Sequence, residues 1–280
     1  MELPIGGRRG HLFVLMNAAV RAPAVAGTFY PESAAELSSL VDRLLEAARR
    51  EVPRRSACPK AIVAPHAGYV FSGAGAARAF TLLEPFANSI ERVVVIGPAH
   101  RVRVQGLVEP EAAKLATPLG DVEVDVDAIA RAKGIGKSAL AHAKEHSIEV
   151  ELPFVQKVAP NAKVIPLAVG RTPADEAAAV LESLWGGPET VFVISSDLSH
   201  YLPYDVGRAR DTETAAKIVA LDATLDGEEA CGAMGLNGFL RVAKDKGLRA
   251  ELVDLRSSGD VPEGQGRGGV VGYGAFAFTS

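Results

Sequence analysis

Residues 191–201 read VFVISSDLSHY, a short apolar run that stops at two serines and an aspartate and then delivers a histidine, His200. Four to eight consecutive apolar residues bounded by turn residues describe a strand covered on both faces, and strands of that kind belong to parallel sheets. The pattern occurs twice more. Residues 61–69 read AIVAPHAGY and end the apolar run at His66, and residues 93–100 read VVVIGPAH and end at His100. Open α/β sheets bind ligands just beyond the carboxyl ends of their strands. Three imidazoles at three such ends are therefore expected to share one site, and a neutral imidazole is a good ligand for a first-row transition metal.

The flanking sequence supports the same fold class, α/β with a mainly parallel central sheet covered by helices on both faces. Ser33 followed by Glu36 is a capping-box pattern, and Leu37, Leu40, Val41, Leu44, Leu45 and Ala48 recur at helical spacing, which predicts a helix over 34–50. After a polar linker at 51–59, a strand is expected at 61–64 and a helix at 73–83, whose opening glycines and alanines permit close approach to the sheet. Further strands are expected at 92–96, 164–169 and 191–195, alternating with helical patterns near 147–158, 174–185, 206–222 and 233–246. The Gly-rich stretch 268–278 is a last strand region. Alternation of this kind implies a parallel sheet. With no repeat and no evident linker, residues 21–280 read as one domain, preceded by a disordered extension over 1–20 in which Met16 is a candidate start.

Composition narrows the function classes. A chain of 280 residues with 48% hydrophobic and 23% charged residues and a formal charge of −4 has no basic footprint for nucleic acid. No run reaches the ~20 apolar residues of a membrane span. Two distant cysteines, Cys58 and Cys231, fit a reducing compartment, so the cytoplasm is the expected location. Residues 8–20 only faintly echo a secretory signal.

Other residues are read for their chemistry. Asp197, three residues before His200, suits a carboxylate that orients the His200 imidazole. Cys231 opens CGAMG at a loop-to-helix junction, where the positive end of a helix favours a thiolate that binds metal. His142 and His146 are four apart with Glu145 beside the second, but the zinc-protease motif needs the glutamate directly after the first histidine. The pair is not expected to hold metal, and His142 is expected to be solvent-exposed. GQGRGG at 264–269 precedes a strand instead of following one, so a dinucleotide site is not supported.

APHAGY at 64–69, GPAH at 97–100, EHSIEVELPF at 145–154, SSDLSHY at 195–201 and CG at 231–232 resemble, in this order, the Memo family, whose microbial members include AmmeMemoRadiSam system protein B. The resemblance extends from RAPAVAGTFYP at 21–31 through ATPLGDVEVD at 116–125 to the Gly-rich carboxyl end. It implies a fold like that of LigB-type class III extradiol dioxygenases, and Fe(II) or Cu held by His66, His100 and Cys231. It also implies a proton-handling role for His200 and a place in the pocket for Asp197 and His146. His146, Tyr69 of the APHAGY motif and Arg101 are the expected substrate-binding residues. Arg101 stands where many relatives carry a second histidine after GPxH, which suits an anionic substrate group. AMMECR1-like and radical-SAM proteins are partners that the resemblance suggests. A cysteine where the dioxygenases keep a carboxylate softens the site and favours copper.

Three functions follow as expectations. The first is a mononuclear metal oxidoreductase acting on a small molecule or peptide. The second is a non-catalytic module that binds a peptide or partner protein through a vestigial pocket. The third is a metal-dependent hydrolase with a metal-bound water.

Overall fold

The three apolar runs that precede His66, His200 and His100 form strands that lie side by side in a computed structural model, which describes residues 19–266 and 268–280, while His200 itself opens a separate short strand. Residues 1–18 of the expected extension, and Arg267 of the GQGRGG stretch, lie outside the described residues. The chain runs through β1 (Val20–Arg21), α1 (Ala34–Glu51), β2 (Ala61–Ala64), α2 (Tyr69–Phe80) and β3 (Arg92–Pro98). Short elements follow: β4 (Leu107–Glu109), β5 (Lys114–Thr117), β6 (Gly120–Glu123), α3 (Val126–Arg131), β7 (Ile135–Lys137) and α4 (Ala139–Ala143). Then come α5 (Leu152–Val158), β8 (Lys163–Val169), α6 (Ala174–Ser183), β9 (Thr190–Ser195), β10 (His200–Leu202), α7 (Tyr204–Val219), α8 (Ala233–Asp245), β11 (Arg249–Ser257) and β12 (Val270–Thr279).

The main sheet has nine strands in the order β10-β12-β2-β9-β3-β8-β4-β7, with β11 also paired to β12. Its centre, β2-β9-β3-β8, is parallel. Antiparallel strands flank it, β12 against β2 and β4 against β8. Every residue of β2 and β9 is buried, so both faces of the central strands are covered. A small second sheet joins β1, β5 and β6, and Val20 pairs with Lys114 there. Among the described residues no helix is long and apolar enough to cross a membrane.

The differences from the expected elements have local causes. Helix α2 begins at Tyr69, four residues before its expected start, because its N-cap is Gly68, which offers no capping side chain to betray it. The expected helix at 147–158 divides into a 3-10 turn at Glu149–Glu151 and α5, with Pro153 in the first turn of α5, where its missing N–H costs nothing. Strand β11, which pairs with β12 along Arg249–Ser257, has no sequence counterpart in the reading above because RAELVDLRS is half exposed and mixes charges into its alternation.

Candidate metal centre

His66 follows β2 directly and is buried, with its Nδ1 2.8 Å from Ser195 Oγ at the end of the neighbouring β9. Ser195 has one hydroxyl proton and three close neighbours: Ser147 O at 2.6 Å, Glu151 Oε1 at 2.8 Å and His66 Nδ1. The proton count closes when Ser195 donates to Ser147 O while His66 Nδ1–H and a protonated Glu151 donate to Ser195. Burial pushes the Glu151 carboxyl well above its usual range, in keeping with that assignment. His66 is then left with a free lone pair on Nε2. Its own pKa is held well below the ordinary value, first by burial and then by the neighbouring histidines, so the ring is neutral at pH 7.

His100 follows β3 and is gripped by Glu145, whose Oε1 lies 3.0 Å from His100 Nδ1 and whose Oε2 accepts from the His100 backbone N–H at 2.6 Å. Glu145 belongs to a turn between α4 and α5, and Oε1 also accepts from the backbone N–H groups of His146 and Ser147 at 2.9 and 3.0 Å. Although burial alone would raise its pKa, these donors bring the Glu145 carboxyl down to about 2, so it stays anionic. The turn packs against the end of β3 at Gly97, where a Cβ would lie 2.6 Å from Ser147 Oγ.

That same turn projects His146 towards the other two imidazoles. One ligand atom from each of His66, His100 and His146 lies within 4.8 Å of the others, a spacing that can hold a metal ion. The ring centroids of His100 and His146 are 4.9 Å apart, and Phe29 packs on His146 from the other side at 4.7 Å. His146 Nδ1 is buried with no hydrogen bond and sits 3.3 Å from Glu145 Oε1. Burial lowers the His146 pKa to about 4. Imidazoles oriented by an anionic carboxylate and a hydroxyl are the donor set a transition metal requires. The residue types and spacing therefore fit a bound metal.

The remaining candidates fall at varied distances from this triad. Cys231 Sγ is 3.3 Å from His66 Nε2, next to the triad but outside the group of three. Position before α8 was expected to favour its thiolate; instead burial, with the Asp197 charge, pushes its pKa up to about 12, and the metal-free group is a thiol. Gly232 brings it there, since a Cβ at that position would lie 2.7 Å from Ser196 Cβ. Asp197 makes no hydrogen bond to His200 among the described residues. Its Oδ1 accepts from the His66 backbone N–H at 2.8 Å, so it fixes the His66 turn, and burial raises its pKa to about 7. His200 lines the same cavity as the triad; burial lowers its pKa, partly offset by the Leu198 carbonyl.

Arg101 is exposed and lines neither of the cavities next to the triad, though its charge opposes protonation of His146. Tyr69 is buried under the site, its hydroxyl donating to Val150 O at 2.6 Å and its ring against Phe154. His142 is buried, not exposed. Its Nε2 lies 2.9 Å from Val108 O, which anchors α4 to β4. The sequence reading missed the orienting roles of Glu145 and Ser195; the only signal for Glu145 was its place directly before His146.

The triad sits at one wall of an open cavity of about 940 Å³, which His200, Asp197, Phe29, Tyr201 and Arg210 also line. Its mouth carries Tyr201, 80% exposed and with a left-handed φ of 59°.

The chain is similar to a known protein family along most of its length. The family model described as Memo-like protein matches residues 21–277. A MEMO1 family protein of Archaeoglobus fulgidus is 34% identical over 276 residues, covering 92% of this chain and 99% of that protein. MEMO1 family proteins of Methanopyrus kandleri and Methanococcoides burtonii are 33% and 35% identical, each over 92% of this chain and over 98% and 99% of their own lengths. With near end-to-end coverage and a family model spanning nearly all of the described fold, the chain belongs to the Memo family.

Proposed function

We propose that the protein is a mononuclear metal redox protein in which His66, His100 and His146 hold Fe(II) or Cu, with Cys231 as a further ligand, next to a pocket for a small organic substrate. One observation carries this reading: three imidazoles with ligand atoms within 4.8 Å, two of them held through Nδ1 by Ser195 and Glu145. The three imidazoles alone leave coordination positions open, and with Cys231 also bound a metal of higher than tetrahedral coordination would still have room for substrate. Bound Fe(II) or Cu would supply one-electron chemistry with dioxygen or substrate.

The surrounding residues supply the rest. Asp197 and Ser195 hold the His66 turn in place, and Glu145 does the same for His100 and His146. His200 is neutral at pH 7, because burial lowers its pKa, and it can accept a proton from a substrate hydroxyl in the cavity. The thiol of Cys231 must lose its proton to ligate, and the choice between a soft and a harder metal then turns on that thiolate.

The test is the metal content of protein purified without oxygen, beside His66→Ala and His146→Ala. About one iron or copper per chain in the wild type, lost in both variants, is expected. Stoichiometric metal retained in both would reject the assignment. Turnover that persists after exclusion of oxygen and of other oxidants would point to a hydrolase instead.

A further inference from the structure

His100 and Cys231 line not one cavity but two. The second, of about 510 Å³, lies beyond the carboxyl ends of β3, β8 and β9 and at the start of α8, the place where open α/β sheets take their ligands. Its walls are apolar, from Ile96, Val169, Ile194 and Met234, and its size is that of a small-molecule pocket.

Two cations stand in this mostly apolar space, beside the polar side chains of Gln105 and Ser195. Arg103 and Arg171 both line it, and neither side chain has an ion pair or hydrogen bond among the described residues. Several arginines elsewhere in the protein are matched to carboxylates, Arg49 to Glu84, Arg78 to Glu51, Arg92 to Asp125 and Arg256 to Asp254. The segments that carry the two free arginines are bonded to each other. Arg171 N–H donates to Val104 O at 3.1 Å, Gly106 N–H to Arg171 O at 3.1 Å and Gly170 N–H to Gly106 O at 2.9 Å. Gly170 is needed for this, since a Cβ there would lie 2.0 Å from Val104 O. The two exposed arginines are thus brought to one cavity by a fixed backbone pairing.

We propose that this second cavity seats a small organic anion, with its apolar body against Ile96, Val169 and Ile194 and its carboxylate or phosphate group on Arg103 and Arg171. Planar guanidinium groups bind such oxyanions by paired hydrogen bonds. The far end of the bound molecule then faces His100 and Cys231. The inference names a substrate class for the proposed redox site, and so rests on that reading for the reaction, while the binding step stands without a metal.

The test uses the full chain stripped of metal and isothermal titration with naphthalene-2-carboxylate, 2-naphthyl phosphate and the neutral 2-naphthamide. At least one of the two anions is expected to bind about tenfold or more tightly than the amide, as charge-assisted bonds to two arginines require. That advantage should vanish in the Arg103→Gln/Arg171→Gln variant and in Arg171→Glu, exposed substitutions whose folding is checked by circular dichroism. It should survive in His146→Ala, which lies outside this cavity. Equal affinity for anions and amide, no binding by the folded wild type, or an advantage unchanged by the arginine substitutions would overturn the proposal. Loss of metal binding with probe binding intact would sink the redox reading alone.

Discussion

Glu145 holds His100 at two points, with Oε2 on its backbone N–H at 2.6 Å and Oε1 on its ring Nδ1 at 3.0 Å. The same carboxylate accepts from the backbone of His146, so one buried anion fixes two of the three imidazoles. Orienting partners of this kind typically matter about 10–100-fold in metal affinity. Glu145→Gln keeps the side-chain shape but offers one acceptor oxygen and no charge. The variant should fold and bind Fe(II) or Cu about 10–100-fold more weakly, read by competition with a chelator. Affinity equal to the wild type would mean that Glu145 serves only the turn.

Cys231 gives a second prediction because burial keeps its thiol protonated before metal arrives. Burial holds the thiol at a pKa of about 12, whereas His66 and His146 are already neutral at pH 7. Ligation by sulfur must then release about one proton per metal, and ligation by the two histidines none. Metal titrations at pH 7 in buffers of different ionisation enthalpy should show about one proton more released by the wild type than by Cys231→Ser. The variant should still bind metal through the triad and lack a thiolate-to-metal charge-transfer band. A wild type that releases no more protons than the variant would place the sulfur outside the coordination sphere.

Much of this site is legible in sequence, and the limits have physical causes. His66 and His100 stand out because each ends a buried strand, and a strand end fixes where a side chain goes. His146 comes from a turn between two short helices, and its approach to the triad depends on the turn packing against Gly97, a contact between residues about fifty positions apart. Asp197 is three residues from His200 in sequence, yet the backbone sends its carboxylate to His66, 131 residues away. The parallel core of the sheet follows from the apolar runs, while β11 and the short strands β4 to β7 are half exposed or too brief to leave a period.

His142 predicts the pH dependence of stability. Its folded pKa is lowered to about 4 from 6.5, chiefly by burial. Between those values the unfolded chain binds a proton that the native chain does not, so stability falls as pH drops from 6.5 towards 4 and levels off below. The full effect of this one group is on the order of 3 kcal/mol. In His142→Gln, whose amide can still donate to Val108 O, the urea midpoint should shift less between pH 7 and pH 4.5 than in the wild type. His66 and His146 shift in the same direction, so the variant flattens the profile without abolishing it. Identical profiles would show that His142 is not buried as a neutral ring in solution.

Gly97 is where the fold and the triad meet. A methyl group at that position would lie 2.6 Å from Ser147 Oγ and 2.9 Å from Ser147 Cβ. Ser147 has nowhere to retreat: its N–H is held by Glu145, its carbonyl accepts from Ser195 and its own hydroxyl donates to Pro98 O at 2.9 Å. Overpacking of this kind costs about 1–3 kcal/mol, and the relief available is displacement of the 145–147 turn, which carries His146. Gly97→Ala should therefore lower stability by about that amount and weaken metal binding together. Because the severest clash is with the Ser147 side chain, Ile148 Cγ1 being next at 3.2 Å, adding Ser147→Gly should return part of both losses, with a coupling of about 1 kcal/mol or more in a double-mutant cycle. Strict additivity of the two substitutions would place the cost of Gly97→Ala in the β3 backbone instead and leave the turn in position.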